Sequence, residues 1–374
     1  MKKSTKPIKI AVTGGHYTPA LAVIEELKKR GNFEFHWIGH SSSLRGEPTV
    51  SVEKRTISRM GIPFYNLRTG RLYRSGLMDL VKIPWGLLHA FYLFLKIRPR
   101  LVVSFGGYLA APVVLMAFVL RIPSVTHEQT AVSGWANRLI ARFSKKVFVS
   151  WKESLKNFPK NKTVLTGNPL RAAIFNSRTP RFRFKNDQPT VYVTGGKQGA
   201  HVINEAVRLA LSQFLERFNL IHQTGSSQAY QDYQKLILLK NQLPAKVKKN
   251  YLVQEYFGEE EIGAVLNSAD VVVGRSGANT VYELAALGKP AVLIPIPWAS
   301  HNEQFRNAQI LAEAGAAVIL LQDSLSSASL LEALESVLGN YKKFRRAAEA
   351  AKKIVRRDAA ERIAEEISAM LDLD

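Results

Sequence analysis

Asp270–Pro295, DVVVGRSGANTVYELAALGKPAVLIP, sets a strand, a glycine turn and a helix start in the order that binds phosphate. The β-branched run Val271–Val273 reads as a buried parallel strand. A turn with Gly274, Ser276, Gly277 and Asn279 follows. A short helix is then expected from Thr280 to Leu287, stopped by Gly288 at its C′ position and by Pro290 ahead of the strand Ala291–Ile294. Such a turn aims backbone N–H groups and the positive end of a helix dipole at one point, which suits a phosphate or a diphosphate. Glu283, one turn in, stands where a carboxylate can accept hydrogen bonds from both hydroxyls of a ribose. Thr280-Val281-Tyr282-Glu283 is equally a T-x-x-E capping box, in which Glu283 serves only its own helix start. This stretch alone leaves both readings open.

The rest of the chain repeats the pattern. Ile8–Val12 reads as a first strand, Thr13-Gly14-Gly15-His16 as its turn, and Pro19 as the first position of a helix running to Arg30 and stopped by Gly31. Phe33–Ile38 completes a βαβ opening. Leu101–Ser104 ends in Gly106-Gly107-Tyr108, and Ser124–Thr126 ends in His127-Glu128-Gln129. In an open parallel sheet the carboxyl ends of the strands line one crevice, so these turns are expected to converge. After the strand Val147–Ser150 and a basic stretch to Lys162, the segment Thr166–Arg171 marks a domain boundary. A second set then begins with the strand Thr190–Thr194, the loop Gly195–Ala200 and a helix from His201, followed by strands at Leu220–Gln223 and Tyr251–Glu255. A chain of 374 residues exceeds one comfortable core, and two tandem α/β domains follow, residues 1–168 and 169–345. The tail from Tyr341 to Leu373 reads as strongly helical, with eight basic residues between Lys342 and Arg357 on a solvated face.

With 52 Lys+Arg against 30 Asp+Glu, the net charge of +22 calls for a polyanionic partner. Arg68–Arg100 carries seven basic residues and one acid, interleaved with Trp85, Phe91, Tyr92, Phe94 and many aliphatics. That mixture suits a helix lying on an anionic membrane surface; the other reading is a core helix with a basic outer face. The apolar runs are too short to span a bilayer, and the basic N-terminus lacks the apolar core of a signal peptide. Cysteine is absent, which excludes disulfides and thiol catalysis and fits a cytosolic protein. No reading module or aromatic-lined basic groove supports a nucleic-acid partner. No glycine turn completes G-x-G-x-x-G, so a dehydrogenase is not expected. The only D-x-D is Asp372-Leu373-Asp374, at the end of the chain, and a nucleotide sugar is therefore expected to be held without a metal. His127, His222 and His301 lack metal-ligand spacing and read as local polar contacts.

Taken in order, Thr13-Gly14-Gly15-His16 with Pro19, Ser104–Tyr108, His127-Glu128-Gln129, Gly167-Asn168-Pro169 with Arg171, Gly195–Ala200, Arg275–Ala278, and Gln304 with Asn307-Ala308 resemble the MurG family of peptidoglycan glycosyltransferases, over nearly the whole chain. The resemblance implies an α/β fold of two Rossmann-like, doubly wound domains facing across a cleft, the GT-B arrangement. Residues 346–374 would pack back on the first domain. It implies an inverting, metal-independent transferase that needs no cofactor. Such an enzyme moves N-acetylglucosamine from UDP-GlcNAc to the muramyl 4-hydroxyl of undecaprenyl-pyrophosphoryl-MurNAc-pentapeptide, lipid I, giving lipid II at the cytoplasmic membrane face.

By that resemblance Ala278, Asn279, Thr280, Val281, Tyr282 and Glu283 would hold the diphosphate and ribose, and Gln304 the sugar hydroxyls. Arg171 and Lys197 would lie near the nucleotide, with Phe257 by the uracil. Thr13, Gly14, Gly15 and His16 would face the acceptor and the donor sugar, with Thr130 on the donor side and Gly106, Gly107, Tyr108, His127 and Gln129 on the acceptor side. His16 is either the catalytic base or a helix-start residue, and Glu128 either the base or its orienter. Three departures stand out: Val12 where the family has a glycine, Thr130 where it has asparagine, and Lys197 where it has serine. A diacylglycerol glycosyltransferase and a noncatalytic UDP-sugar scaffold are the competing readings.

Overall fold

A computed structural model of the chain describes residues 6–41, 52–70, 77–175 and 182–371. The chain divides into two compact units, one running to Leu170 and resuming at Arg356, the other spanning Arg171–Val355.

The first unit opens with β1 (Ile8–Thr13), α1 (Tyr17–Arg30) and β2 (Phe33–Gly39), then α2 (Val52–Arg59) and β3 (Phe64–Asn66). The long helix α3 (Leu77–Ile97) leads to β4 (Leu101–Ser104), α4 (Ala110–Val119), β5 (Ser124–Glu128), α5 (Trp135–Phe143), β6 (Lys146–Val149) and β7 (Thr163–Leu165). The seven strands form one parallel sheet in the order β3-β2-β1-β4-β5-β6-β7. Such strands are buried on both faces and read as continuous apolar runs. Ile10 and Val12 point into one layer with α1, Ala11 and Val102 into the other with α3 and α4.

The second unit holds β8 (Thr190–Thr194), α6 (His201–Leu209), α7 (Leu211–Arg217), β9 (Asn219–Gln223), α8 (Asp232–Gln242), α9 (Ala245–Lys248) and β10 (Tyr251–Gln254). It continues with α10 (Glu259–Ser268), β11 (Val271–Gly274), α11 (Ala278–Leu287), β12 (Ala291–Leu293), α12 (Glu303–Glu313), β13 (Ala317–Ile319), α13 (Ser327–Gly339) and α14 (Tyr341–Ala351). Its six parallel strands run β10-β9-β8-β11-β12-β13. In each unit the order reverses beside the first strand, between β1 and β4 and between β8 and β11. Chain leaving the carboxyl ends of those strands diverges there and opens a crevice.

The tail differs from the single helical run expected over 341–373. It breaks after α14, and α15 (Ala359–Met370) belongs to the first unit, so the return begins at Arg356 and not at 346. The reason is a change of buried face. Ala348 and Ala351 are buried in the second unit, whereas Ala360, Ile363, Ala364 and Ile367 join the core around α1. Lys146 with Glu366, and Arg30 with Glu365 at 3.2 Å, pair across that second contact. The acidic pair at 372 and 374 lies outside the described residues.

Candidate active site

In the first unit Thr13 and Ser104 are register partners at the ends of β1 and β4; β1 exits through Gly14, and β4 through Phe105 into Gly106. Gly14 has φ 142°, and a Cβ there would stand 2.7 Å from the Phe105 carbonyl carbon, so only glycine lets the two turns meet. The Phe105 N–H donates to the Thr13 carbonyl at 2.7 Å and the Gly15 N–H to the Gly106 carbonyl at 3.1 Å. His16 occupies the N-cap position of α1, half-buried, and its side chain makes no cap hydrogen bond.

The second turn is tied down by a residue that was not singled out in the sequence. Asn137, on α5, accepts from the Gly107 N–H through Oδ1 at 3.0 Å and donates through Nδ2 to Glu128 Oε2 at 2.7 Å. The signal was present: Asn137 is a polar residue on the buried stripe that it shares with Ile140 and Ala141. The other carboxylate oxygen of Glu128 accepts from the Thr130 N–H at 3.0 Å and the Thr130 hydroxyl at 2.8 Å. Burial pushes the Glu128 pKa up, and the donors on Thr130 and Asn137 pull it back. The Thr130 hydroxyl is turned inward, its one proton shared between Glu128 Oε1 and the Val132 carbonyl 2.5 Å away, and the Thr130 N–H is the donor committed to Glu128.

The sequence placed His127 and Glu128 in a turn; both lie within β5, in register with Phe148 and Val149 of β6. His127 is buried with Nε2 2.9 Å from the Gly167 carbonyl, so Nε2 carries the proton and donates. Burial lowers its pKa to about 4. Gln129 is buried and donates to the Phe105 carbonyl at 3.3 Å, and Tyr108 is half-buried beyond Gly107.

His222, in the second unit, is buried between Tyr251 Oη and Asn204 Oδ1, each at 3.0 Å, and burial lowers its pKa to about 3. Both histidines are neutral in the fold and free to protonate once unfolded, near pH 6.5. Their contribution is therefore fully present above pH 6.5 and is lost as pH falls through the folded-state values. For His127 the loss by pH 4 is expected to be about 3 kcal/mol. Urea melts from pH 7 to pH 4.5 should steepen in acid, and His127→Gln should flatten part of that slope. An unchanged slope in a folded variant would remove His127 from the account.

In the second unit the turns after β8, β9 and β10 are joined by Gln223. Its amide donates to Thr194 Oγ1 and the Gly196 carbonyl, both at 3.1 Å, while its Oε1 accepts from the Phe257 N–H at 3.0 Å. Lys197 is half-buried in the glycine loop, its carbonyl accepting from the Ser226 N–H at 2.9 Å. The Phe257 ring is buried against Phe182 and Tyr192, with centroids 6.2 Å away in each case.

Helix α11 begins two residues earlier than Thr280. Gly277 is its N-cap, and the Val281 N–H closes the first turn onto the Gly277 carbonyl at 3.0 Å. A capping box from Thr280 to Glu283 is thus ruled out. The leading amides that no helical carbonyl can reach are those of Ala278, Asn279 and Thr280. Val281 and Tyr282 are buried and point into the core, so their side chains support the helix and offer no surface to a ligand.

Glu283 instead meets Arg171: Nη2 donates to Oε1 at 3.1 Å, with only 11% and 13% of the two side chains exposed. Two residues nominated separately for the nucleotide are therefore one ion pair. Arg275 is structural, its guanidinium donating to the Ile294 carbonyl at 3.1 Å and to Gln322 Oε1 at 2.6 Å. Gln304 sits at the start of α12, where its Oε1 accepts from the Ile296 N–H at 3.1 Å. Among the described residues no group of three or more His, Asp and Glu is placed to hold a metal ion.

Residues 12–149 match the glycosyltransferase family 28 N-terminal domain, and residues 190–363 the glycosyltransferase family 28 C-terminal domain. The chain is 34% identical over 360 residues to the UDP-N-acetylglucosamine–N-acetylmuramyl-(pentapeptide) pyrophosphoryl-undecaprenol N-acetylglucosamine transferase of Lachnoclostridium phytofermentans, covering 94% of each chain. To the transferase of the same name from Desulforudis audaxviator it is 35% identical over 343 residues, covering 88% of this chain and 89% of that one. The crystal structure of MurG from Acinetobacter baumannii superposes with a TM-score of 0.70 at 28% identity, over 97% of this chain and 100% of that one. Matched in both halves by the family models and along nearly its whole length by these transferases, the chain belongs to the MurG group of glycosyltransferase family 28.

Proposed function

We infer that this protein transfers N-acetylglucosamine from UDP-GlcNAc to undecaprenyl-pyrophosphoryl-MurNAc-pentapeptide, converting lipid I to lipid II in peptidoglycan synthesis. The observation that carries the reading is the chain-long match to transferases of that name, combined with polar turns at the switch point of each sheet. The second unit binds the donor. The leading amides of α11 take the diphosphate, the Arg171–Glu283 pair the ribose end, Gln304 the sugar, and Lys197 and the Phe257 segment the rest of the nucleotide. In the first unit Thr13, Gly14, Gly15 and His16 meet the reacting sugars, and Gly106, Gly107 and Tyr108 the acceptor. His127, Glu128, Gln129 and Thr130 hold those turns in place. Incubation with UDP-GlcNAc and lipid I should yield lipid II. Transfer to diacylglycerol and not to lipid I, or UDP-GlcNAc binding without turnover, would replace the reading.

The diphosphate is held by backbone amides and a helix dipole in this scheme, so turnover should survive EDTA. A rate that collapses on chelation and returns with Mg²⁺ would overturn that part of the mechanism.

The protein acts at the cytoplasmic face of the membrane, lying on it through α3. No helix among the described residues is long and apolar enough to cross a bilayer. On α3, Ala90, Leu93, Phe94 and Ile97 are buried while Trp85, Leu88, Tyr92 and Leu95 are 61%, 61%, 58% and 57% exposed. Their spacing puts the exposed four on one face. Lys82, Lys96, Arg98 and Arg100 are exposed around it. Vesicle binding should require anionic lipid and fall with salt, each basic residue contributing about 1 kcal/mol. Equal binding to neutral vesicles would count against this role.

A further inference from the structure

Helix α3 and the chain at the end of β3 border an open pocket of about 480 Å³, lined by Asn66, Arg68, Trp85, Leu88, His89 and Tyr92. The two walls are pressed together nearby. Gly86 is buried on α3, and a Cβ there would run into the Thr69 hydroxyl, so only glycine lets residues 66–69 lie flush on the helix. The backbone N–H of Arg68 donates to His89 Nδ1 at 3.1 Å. That bond makes Nδ1 an acceptor and leaves Nε2 carrying the ring's one proton. Burial and the Arg68 charge both lower the His89 pKa, in keeping with a neutral ring. The ring is stacked on Tyr92, with centroids 6.3 Å apart and planes at 26°.

Among the described residues the lining supplies a guanidinium, an imidazole N–H, an indole N–H, a phenol and an amide, and no carboxylate. This is the donor set for a phosphate. Leu88 and the ring faces of Trp85 and Tyr92 make the apolar part of the lining, and they run on into the exposed stripe that ends at Leu95. The volume lies within the range of sites for small organic ligands and is larger than an inorganic anion requires. A ligand that matches both walls is anionic at one end and carries hydrocarbon at the other.

We propose that this pocket is a one-to-one site for the glycerol-phosphate headgroup of an anionic phospholipid, with Arg68 pairing the phosphate, His89 donating from Nε2, and an acyl chain lying along Leu88, Tyr92 and Leu95. The proposal rests on the reading of α3 as the membrane-facing helix. It adds a saturable site to what would otherwise be diffuse adsorption to charged lipid.

The test uses the full chain and dihexanoyl-phosphatidylglycerol below its micelle concentration, followed by calorimetry and native mass spectrometry. One lipid should bind per chain, at least tenfold tighter than dihexanoyl-phosphatidylcholine or glycerol phosphate alone. Arg68→Ala and His89→Phe should each weaken binding about tenfold or more. The Arg68 side chain is exposed, so that variant tests the site even if His89→Phe does not fold. The variant Lys82→Glu with Lys96→Glu changes charges outside the pocket; it should lose vesicle binding and keep the one-to-one lipid. Absence of saturable binding, wild-type affinity in Arg68→Ala, or equal affinity for glycerol phosphate would overturn the proposal. Intact one-to-one binding with no partition of the wild-type chain onto anionic vesicles would sink the membrane-facing reading instead.

Discussion

His16→Ala is expected to lower kcat roughly 10²–10⁴-fold, the usual contribution of a positioned general base, with little change in UDP affinity. The prediction follows from what the other candidates near the acceptor turns are doing. His127 is buried, has a pKa lowered to about 4 and donates its only proton to the Gly167 carbonyl. Both oxygens of Glu128 are taken up by Thr130 and Asn137 donors in a buried position. His16 stands at the N-cap position of α1, half-buried at the mouth of the first glycine turn. An imidazole there is suited to take the proton of the acceptor hydroxyl as UDP departs. The acid limb of the kcat/KM profile should vanish with it. Glu128→Gln should instead keep that limb and raise the acceptor KM, because it disturbs the Asn137–Gly107 tether. A His16→Ala enzyme with near-normal kcat and a raised KM for UDP-GlcNAc would make His16 a donor-binding residue and return Glu128 as the base.

The second large effect is expected at Glu283. Replacing it with alanine should weaken UDP binding by about 1.5–3 kcal/mol, roughly 10- to 150-fold, the scale of hydrogen bonds to a charged group. Its carboxylate is held by Arg171 at 3.1 Å in a nearly enclosed position, so it is oriented before ligand arrives. Arg171→Ala should also weaken UDP, and the double variant should lose less than the sum of the two, since each residue positions the other. Calorimetry on a folded Glu283→Ala protein that finds unchanged UDP affinity would leave Glu283 as no more than a counterion for Arg171.

How much of this was legible in the sequence depends on the range of the interaction concerned. Short β-branched runs ended by glycine, and helices stopped by Gly31 and Gly288, are local signals, and they yielded the parallel strands, the two α/β units and the turns between strand and helix; Pro19, read as the first position of α1, is its third residue, because the helix starts at Tyr17. Charge and apolar spacing along α3 are local too, and the exposed stripe at 85, 88, 92 and 95 follows from helical periodicity. Non-local contacts were not legible. Nothing near Gly14 says that it must pass against the backbone of Phe105; strand order brings them together, because β4 pairs with β1 although α1, β2, α2, β3 and α3 intervene. The start of α11 was misplaced because T-x-x-E fits a cap locally, whereas the fold begins the helix at Ala278 and gives the Glu283 carboxylate a partner 112 residues away. Thr130 and Glu128 looked like ligand-facing polar groups, and burial made them partners of each other and of Asn137. A buried polar atom must find a hydrogen bond inside the protein, and which one it finds is settled only when distant strands and helices have packed.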